Sequence, residues 1–178
     1  MNHTLQRDRT ALVVVDIQEA FRSAVGEFDA VAHNAAVLVQ GARILDVPVL
    51  VTEQYPRGLG ATVPEVARHL DGVPRVEKVV FSAARADGFD LGGRDQAIVC
   101  GIETHVCVAQ TVADLLDEGA DVQVAADAVS SRTAANRRTG LAKMEASGAM
   151  LTSTEMALFE LLGRAGTPEF KEVQALVK

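Results

Sequence analysis

The sequence predicts an α/β fold: a single open, mostly parallel sheet of six strands with helices on both faces. Three observations predict it. Apolar runs such as 11–15 (ALVVV) and 97–100 (AIVC) are continuous rather than alternating, as in parallel strands covered on both sides. Such runs alternate along the whole chain with segments of helical spacing, the pattern of βαβ units. The 178 residues, 48% of them hydrophobic, suffice for one core, and no linker, repeat or low-complexity stretch divides them.

The first strand is 11–15, ended by Asp16. Residues 29–45 form a helix, with Val31, Ala35, Leu38, Ala42 and Leu45 on one stripe. The second strand is 47–52. The segment 55–62 (YPRGLGAT) is loop, rich in Gly and Pro, and Pro64 opens a short helix over 64–70. The third strand spans 75–81, followed by loop or irregular helix over 83–94. The fourth strand is 96–101. A helix over 104–118 is closed by Gly119. The fifth strand is 121–126, with loop over 127–132. A helix over 134–147 is ended by Gly148, and a sixth strand follows at 149–152. A helix over 154–162 has Thr154 as its N-cap, and 168–177 is the last helix. Crossovers are expected to be right-handed. Ligands of such sheets bind beyond the carboxyl ends of the strands, where strand order reverses. That rule draws attention to Asp16, Lys78 and Cys107.

Composition narrows the function. A net charge of −7 with no Lys/Arg cluster argues against nucleic acid; Arg137-Arg138, the densest basic spot, reads as a solvated helix face. No apolar run approaches the roughly 20 residues of a membrane helix. The polar start, MNHTLQRDRT, lacks a signal-peptide core. A cytoplasmic protein with no membrane partner is therefore expected. Two cysteines make no disulfide framework, and in a reducing compartment Cys100 and Cys107 stay free.

The richest stretch is GIETHVC at 101–107, where a buried strand meets a helix. Backbone N–H groups at a helix start are unpaired and the dipole is positive there, which pushes a thiol toward thiolate. A nucleophile on a strand-to-helix turn beside free N–H groups suits acyl transfer. Lys78 interrupts the run VEKVVF. It either faces water on an edge strand or, if buried, needs an anionic partner, because burying an unpaired ammonium is costly. Asp16 is either a turn residue or a contact to a ligand or metal. A nucleophilic Cys needs a base and a lowered pKa, and an Asp and a Lys can supply both.

The segments VVVDIQ around Asp16, VEKVVFSA around Lys78 and CGIETHVCV around Cys107, spread from about residue 10 to residue 162, resemble the isochorismatase-like cysteine hydrolase superfamily. TEQYPRGLG and KMEASGAMLTSTEMALFELLG resemble its isochorismatase domain-containing branch. The resemblance implies a Rossmann-like three-layer α/β/α fold in one domain, a small-molecule substrate and a homo-oligomer, dimer or larger. It also implies a catalytic triad of Asp16, Lys78 and Cys107, a non-proline cis peptide between Ile102 and Glu103, and an oxyanion hole made by the Val106 and Cys107 N–H groups. The metal-binding nicotinamidases of that superfamily carry an Asp and two His near the catalytic Asp. Thr52-Glu53-Gln54-Tyr55 lacks that spacing and His69 is isolated, so neither a catalytic metal nor a cofactor is expected.

Gln18, Phe21, Gln54, Tyr55, Phe81 and Thr104 flank the three positions and are candidate pocket residues, although Phe21 and Phe81 serve equally well as core. Arg22 either clamps a substrate carboxylate or sits on the surface. His105, two residues before Cys107, diverges from it on a helix and does not form a Cys-His dyad. Cys100 reads as an inert core residue. Gly58-Leu59-Gly60 is not a phosphate loop, and no GxGxxG follows the first strand, so a dinucleotide site has no support. Three functions remain: a thiol hydrolase cleaving a small amide, ureide or ester through an acyl-thioenzyme; vinyl-ether hydrolysis of isochorismate with Asp16 as proton donor; and a non-catalytic binding or redox-sensing module on the same fold.

Overall fold

The computed structural model describes residues 4–178; the first three residues of the polar N-terminal stretch lie outside that range. Strand β1 (Thr10–Val15) is buried along its whole length. Its side chains serve two cores. Leu12 and Val14 belong to one apolar cluster, and Val13 and Val15 to a second on the opposite face. This period-2 division is what a strand covered on both sides requires.

Helix α1 (Phe28–Ile44) carries the expected stripe and packs on the first cluster. Strand β2 is Val49–Gln54, then short helices α2 (Pro56–Leu59) and α3 (Pro64–Ala67) precede β3 (Arg75–Lys78). After a 3-10 turn at Ala83–Arg85 come β4 (Gln96–Ile102), a π turn at Thr104–Val108 and α4 (Ala109–Asp117). The chain finishes with β5 (Asp121–Ser130), α5 (Ala134–Ala146), β6 (Met150–Thr152), α6 (Thr154–Leu162) and α7 (Pro168–Leu176).

The six strands are all parallel, in the order β3-β2-β1-β4-β5-β6. Helices α1, α6 and α7 contribute to one core, and α4 and α5 to the other, giving three layers. Strand order reverses between β1 and β4, so their carboxyl ends flank the crevice where ligands bind in such sheets.

Several boundaries differ from expectation, each for a local reason. The third strand stops at Lys78, not at 81. Beyond it Val79, Val80 and Phe81 stand 77%, 41% and 52% exposed. The fifth strand runs on to Ser130, with a register shift against β4 between Val99 and Gly101 that absorbs the extra residues. Segment 55–62 contains the helical turn α2 rather than loop alone. The N-cap of α6 is Ser153, whose hydroxyl accepts from the Met156 N–H at 3.2 Å. Thr154 is instead tied through its N–H and hydroxyl to Asp127 Oδ1. Among the described residues no helix is long and apolar enough to cross a membrane.

Candidate active site

Asp16 follows the last residue of β1 with φ at 51°, a left-handed conformation costly for an L residue and met mostly where the surroundings enforce it. Its N–H still continues the ladder to the Thr52 carbonyl at 3.2 Å. Its carboxylate receives the Thr52 hydroxyl at 2.7 Å on Oδ1 and the Lys78 ammonium at 2.6 Å on Oδ2. Strand pairing explains both partners. Thr52 lies opposite Val15, and Lys78 lies opposite Gln54 at the same end of the sheet.

Lys78 is on an edge strand, yet its side chain is fully buried. The ammonium is ringed by acceptors: Asp16 Oδ2, Gln54 Oε1 at 2.7 Å, and the carbonyls of Phe81 at 2.9 Å and Val80 at 3.3 Å. The strand stops at Lys78 because the chain folds its next carbonyls back over this charge. The valines and Phe81 are left facing outward.

Cys107 is 5% exposed and sits in the π turn after β4. The charges of Asp16 and Lys78 both act on its thiol, which places the three residues together at the β1–β4 crevice. The Ile102–Glu103 peptide bond is cis. Burial pushes the Asp16 carboxyl above the usual carboxylate range, against the pull of Lys78. Burial, then the Asp16 charge, push the Cys107 thiol up to about 12. The helix-start argument for a depressed thiol is therefore overturned. The first turn is π rather than α. The Val106 and Val108 N–H groups both donate to the Glu103 carbonyl, at 3.0 and 3.2 Å. These two donors of the turn are engaged, and the sulfur faces an anion rather than a positive helix end. The Val106 N–H is thus already partnered at the position expected to offer it to an oxyanion.

The six candidate pocket residues divide. Gln18 is wholly buried; its amide donates to the Gln54 and Gly60 carbonyls and accepts from the Gln54 N–H, so it braces the loop rather than facing a ligand. Phe21 is half-buried against the first core. Gln54 holds Lys78 with its oxygen and the Val79 carbonyl with its nitrogen at 3.0 Å. Tyr55, 55% exposed, lines a cleft of about 560 Å³ with Arg57, Val79, Val80 and Arg85. Phe81 lines a second cleft of about 380 Å³ across the same ridge. Cys107 lines neither of these clefts. Thr104 is buried with no partner on its hydroxyl.

Arg22 is committed to Glu19, Asp29 and Glu65 and lies 4.9 Å over the Phe28 ring, which makes it a surface brace. His105 pairs through Nδ1 with the Ser131 hydroxyl at 3.0 Å. Cys100 is completely buried and its thiol is pushed up further by burial than that of Cys107. Among the described residues no group of three or more His, Cys, Asp or Glu is placed to hold a metal ion. Two residues escaped the sequence reading. Thr52 was hidden because only strand register brings it to Asp16. Thr111, whose hydroxyl donates to the Cys107 carbonyl at 2.7 Å, carried a weak signal: it lies one helical turn after the cysteine.

An all-parallel three-layer α/β sheet with an acid, an amine and a thiol at its topological switch point defines a class of protein, and comparison with known proteins narrows it. The isochorismatase domain matches residues 10–156. The secreted isochorismatase effector Isc1 of Phytophthora sojae is 44% identical over 177 residues, covering 95% of this chain and 84% of that protein. The solved MAR1 ribonuclease of Caenorhabditis elegans is 42% identical with a TM-score of 0.94, over 97% of this chain and 91% of that one. YcaC from Pseudomonas aeruginosa, solved with hexane-2,5-diol and covalent acrylamide, is 27% identical with a TM-score of 0.88, over 99% of this chain and 92% of that one. The chain belongs to the isochorismatase-like superfamily, in its isochorismatase domain-containing branch.

Proposed function

We propose that the protein is a thiol hydrolase that cleaves a small amide, ureide or ester through an acyl-thioenzyme on Cys107. The observation that carries this reading is the fully buried Asp16–Lys78 pair, whose charges both act on the buried Cys107 thiol. A carboxyl raised above its usual range is a better base for a thiol than an ordinary aspartate. As the Cys107 sulfur attacks the substrate carbonyl, Asp16 takes its proton, and the Lys78 charge offsets the negative charge forming on sulfur. The oxyanion is received by the Cys107 N–H, with a share of the Val106 N–H if its bond to Glu103 loosens. Asp16 then returns the proton to the leaving amine or alcohol, and water attacks the thioester with Asp16 again as base.

The covalent acrylamide in the Pseudomonas relative supports a reactive group on this fold. A net charge of −7 is poorly matched to a phosphate backbone, which argues against the ribonuclease activity in the nematode relative's name. The exposed apolar ridge at Val79–Phe81 supports a homo-oligomer, which light scattering tests: a monomer at micromolar concentration refutes it.

The test is a screen of small amides and esters with denaturation in mid-turnover and peptide mass analysis. An acyl adduct on the Cys107 peptide and loss of turnover in Cys107→Ala are the expected results. Undiminished turnover in Cys107→Ala refutes the reading. One observation favours a second reading: the raised Asp16 carboxyl suits a proton donor, as vinyl-ether hydrolysis of isochorismate needs. Isochorismate turnover that survives Cys107→Ala but not Asp16→Asn selects that chemistry.

A further inference from the structure

The hydroxyl of Thr111 joins two parts of the site that are far apart in sequence. Thr111 is completely buried on α4. Its Oγ1 donates to the Cys107 carbonyl at 2.7 Å and accepts from the Ala83 N–H at 2.8 Å. A bond from a helical threonine to the carbonyl four residues earlier is a common local habit. Acceptance from Ala83 is not local, because Ala83 opens the 3-10 turn just after the ridge that covers Lys78. The ridge is tied at its other end as well, since Lys78 Nζ holds the Val80 and Phe81 carbonyls. Hydrogen bonds and chain continuity run from Asp16 to Lys78, from Lys78 to the ridge, along the ridge to Ala83, from Ala83 to Thr111, and from Thr111 to Cys107, whose buried thiol feels the Asp16 charge.

We propose that Thr111 is a positioning residue that fixes the nucleophile turn against the ridge, so that the Cys107 sulfur stays buried against Asp16 and Lys78. The proposal rests on the thiol-hydrolase reading. The single proton of the hydroxyl is committed to Cys107, so Thr111 acts through that residue and not on substrate. Removing the hydroxyl at constant volume leaves a buried N–H and weakens the hold on a buried carbonyl. The π turn then relaxes and the sulfur moves toward the environment of an ordinary cysteine. This gives a signature that lost stability alone does not: the thiol becomes more reactive while turnover falls.

The test is iodoacetamide labelling of the full chain at pH 8, with Cys107 and Cys100 followed separately by peptide mass, alongside kcat and KM. Thr111→Val is expected to label at Cys107 about tenfold faster, keep Cys100 protected, and lose about tenfold in kcat with KM little changed. Thr111→Ser, which keeps the hydroxyl, is expected to restore both. If the valine variant does not fold, Thr111→Ala carries the same comparison. Labelling and kcat equal to wild type overturn the proposal, as does faster labelling of Cys100 in step with Cys107, which marks general loosening. Wild-type protein in which Cys107 labels no faster than Cys100, or Cys107→Ala with full turnover, overturns the thiol reading itself and the proposal with it.

Discussion

The Lys78 ammonium lies 2.6 Å from Asp16 Oδ2, with both side chains wholly shut off from solvent. Such a pair is held by its geometry: each charge is tolerated only because the other, with Thr52, Gln54 and two ridge carbonyls, replaces water. Lys78→Met is therefore expected to destabilise the protein by about 3–5 kcal/mol in urea unfolding, since it strands a buried carboxylate. The sign with pH follows. Without its cation, Asp16 has a folded pKa raised further above the unfolded value, so the deficit is small at acid pH and widens as pH rises through that pKa. Asp16→Leu combined with Lys78→Met removes both charges and is expected to recover most of the loss. A single variant as stable as wild type at neutral pH refutes the argument.

Cys107 offers a second test, because burial and Asp16 hold its thiol near 12. Below the pKa the thiolate fraction grows about tenfold per pH unit. Iodoacetamide labelling of the free protein is thus expected to climb steadily from about pH 7 to about pH 10 without a plateau. A plateau near neutrality would instead reveal a resting thiolate. Cys107 is expected to label before Cys100, whose thiol is raised further and has no exposure at all.

The residues explain what could be read from sequence alone. Continuous apolar runs such as 11–15 and 97–100 mark buried parallel strands whatever their neighbours, so the α/β class and the central strands were legible. The meeting of Asp16, Lys78 and Cys107 was legible because each stands at or just past the carboxyl end of a strand, and one sheet edge gathers such ends. What escaped depends on contacts no periodicity encodes. The end of β3 at Lys78 follows from carbonyls turning back onto an ammonium. The π turn follows from two N–H groups sharing the Glu103 carbonyl. The direction of the Cys107 shift followed from that turn, so an argument from an ideal helix start had the wrong sign. The Gln18 amide was misread because a polar residue near a site is assigned to ligand until its loop partners are seen.

Gly101 sets how closely β4 approaches β1 beside the site. Its φ is +129°, and a Cβ there would lie 2.0 Å from the Val15 carbonyl oxygen. Both the conformation and the contact exclude a side chain, and the obstacle is backbone, which cannot swing aside. Gly101→Ala is expected to cost more than about 3 kcal/mol and to leave little folded protein at physiological temperature. Circular dichroism on melting checks this. A melting midpoint within a few degrees of wild type refutes it.

Gly140 makes the finer case, because two effects oppose each other there. It sits inside α5, where Ala is preferred over Gly by about 1 kcal/mol. A Cβ would also lie 3.0 Å from both the His105 Cα and the Thr104 carbonyl oxygen, which are backbone atoms of the nucleophile turn. Overpacking of this kind costs about 1–3 kcal/mol, so Gly140→Ala is expected to lose at most about 2 kcal/mol in net stability. The helix gains while the turn is displaced by a few tenths of an ångström, and the turn carries the proposed nucleophile. Turnover is accordingly expected to fall well beyond what the fraction unfolded accounts for. Near-native turnover in a folded Gly140→Ala would mean that the Thr104–Val108 turn tolerates displacement, contrary to its proposed role in aiming the sulfur.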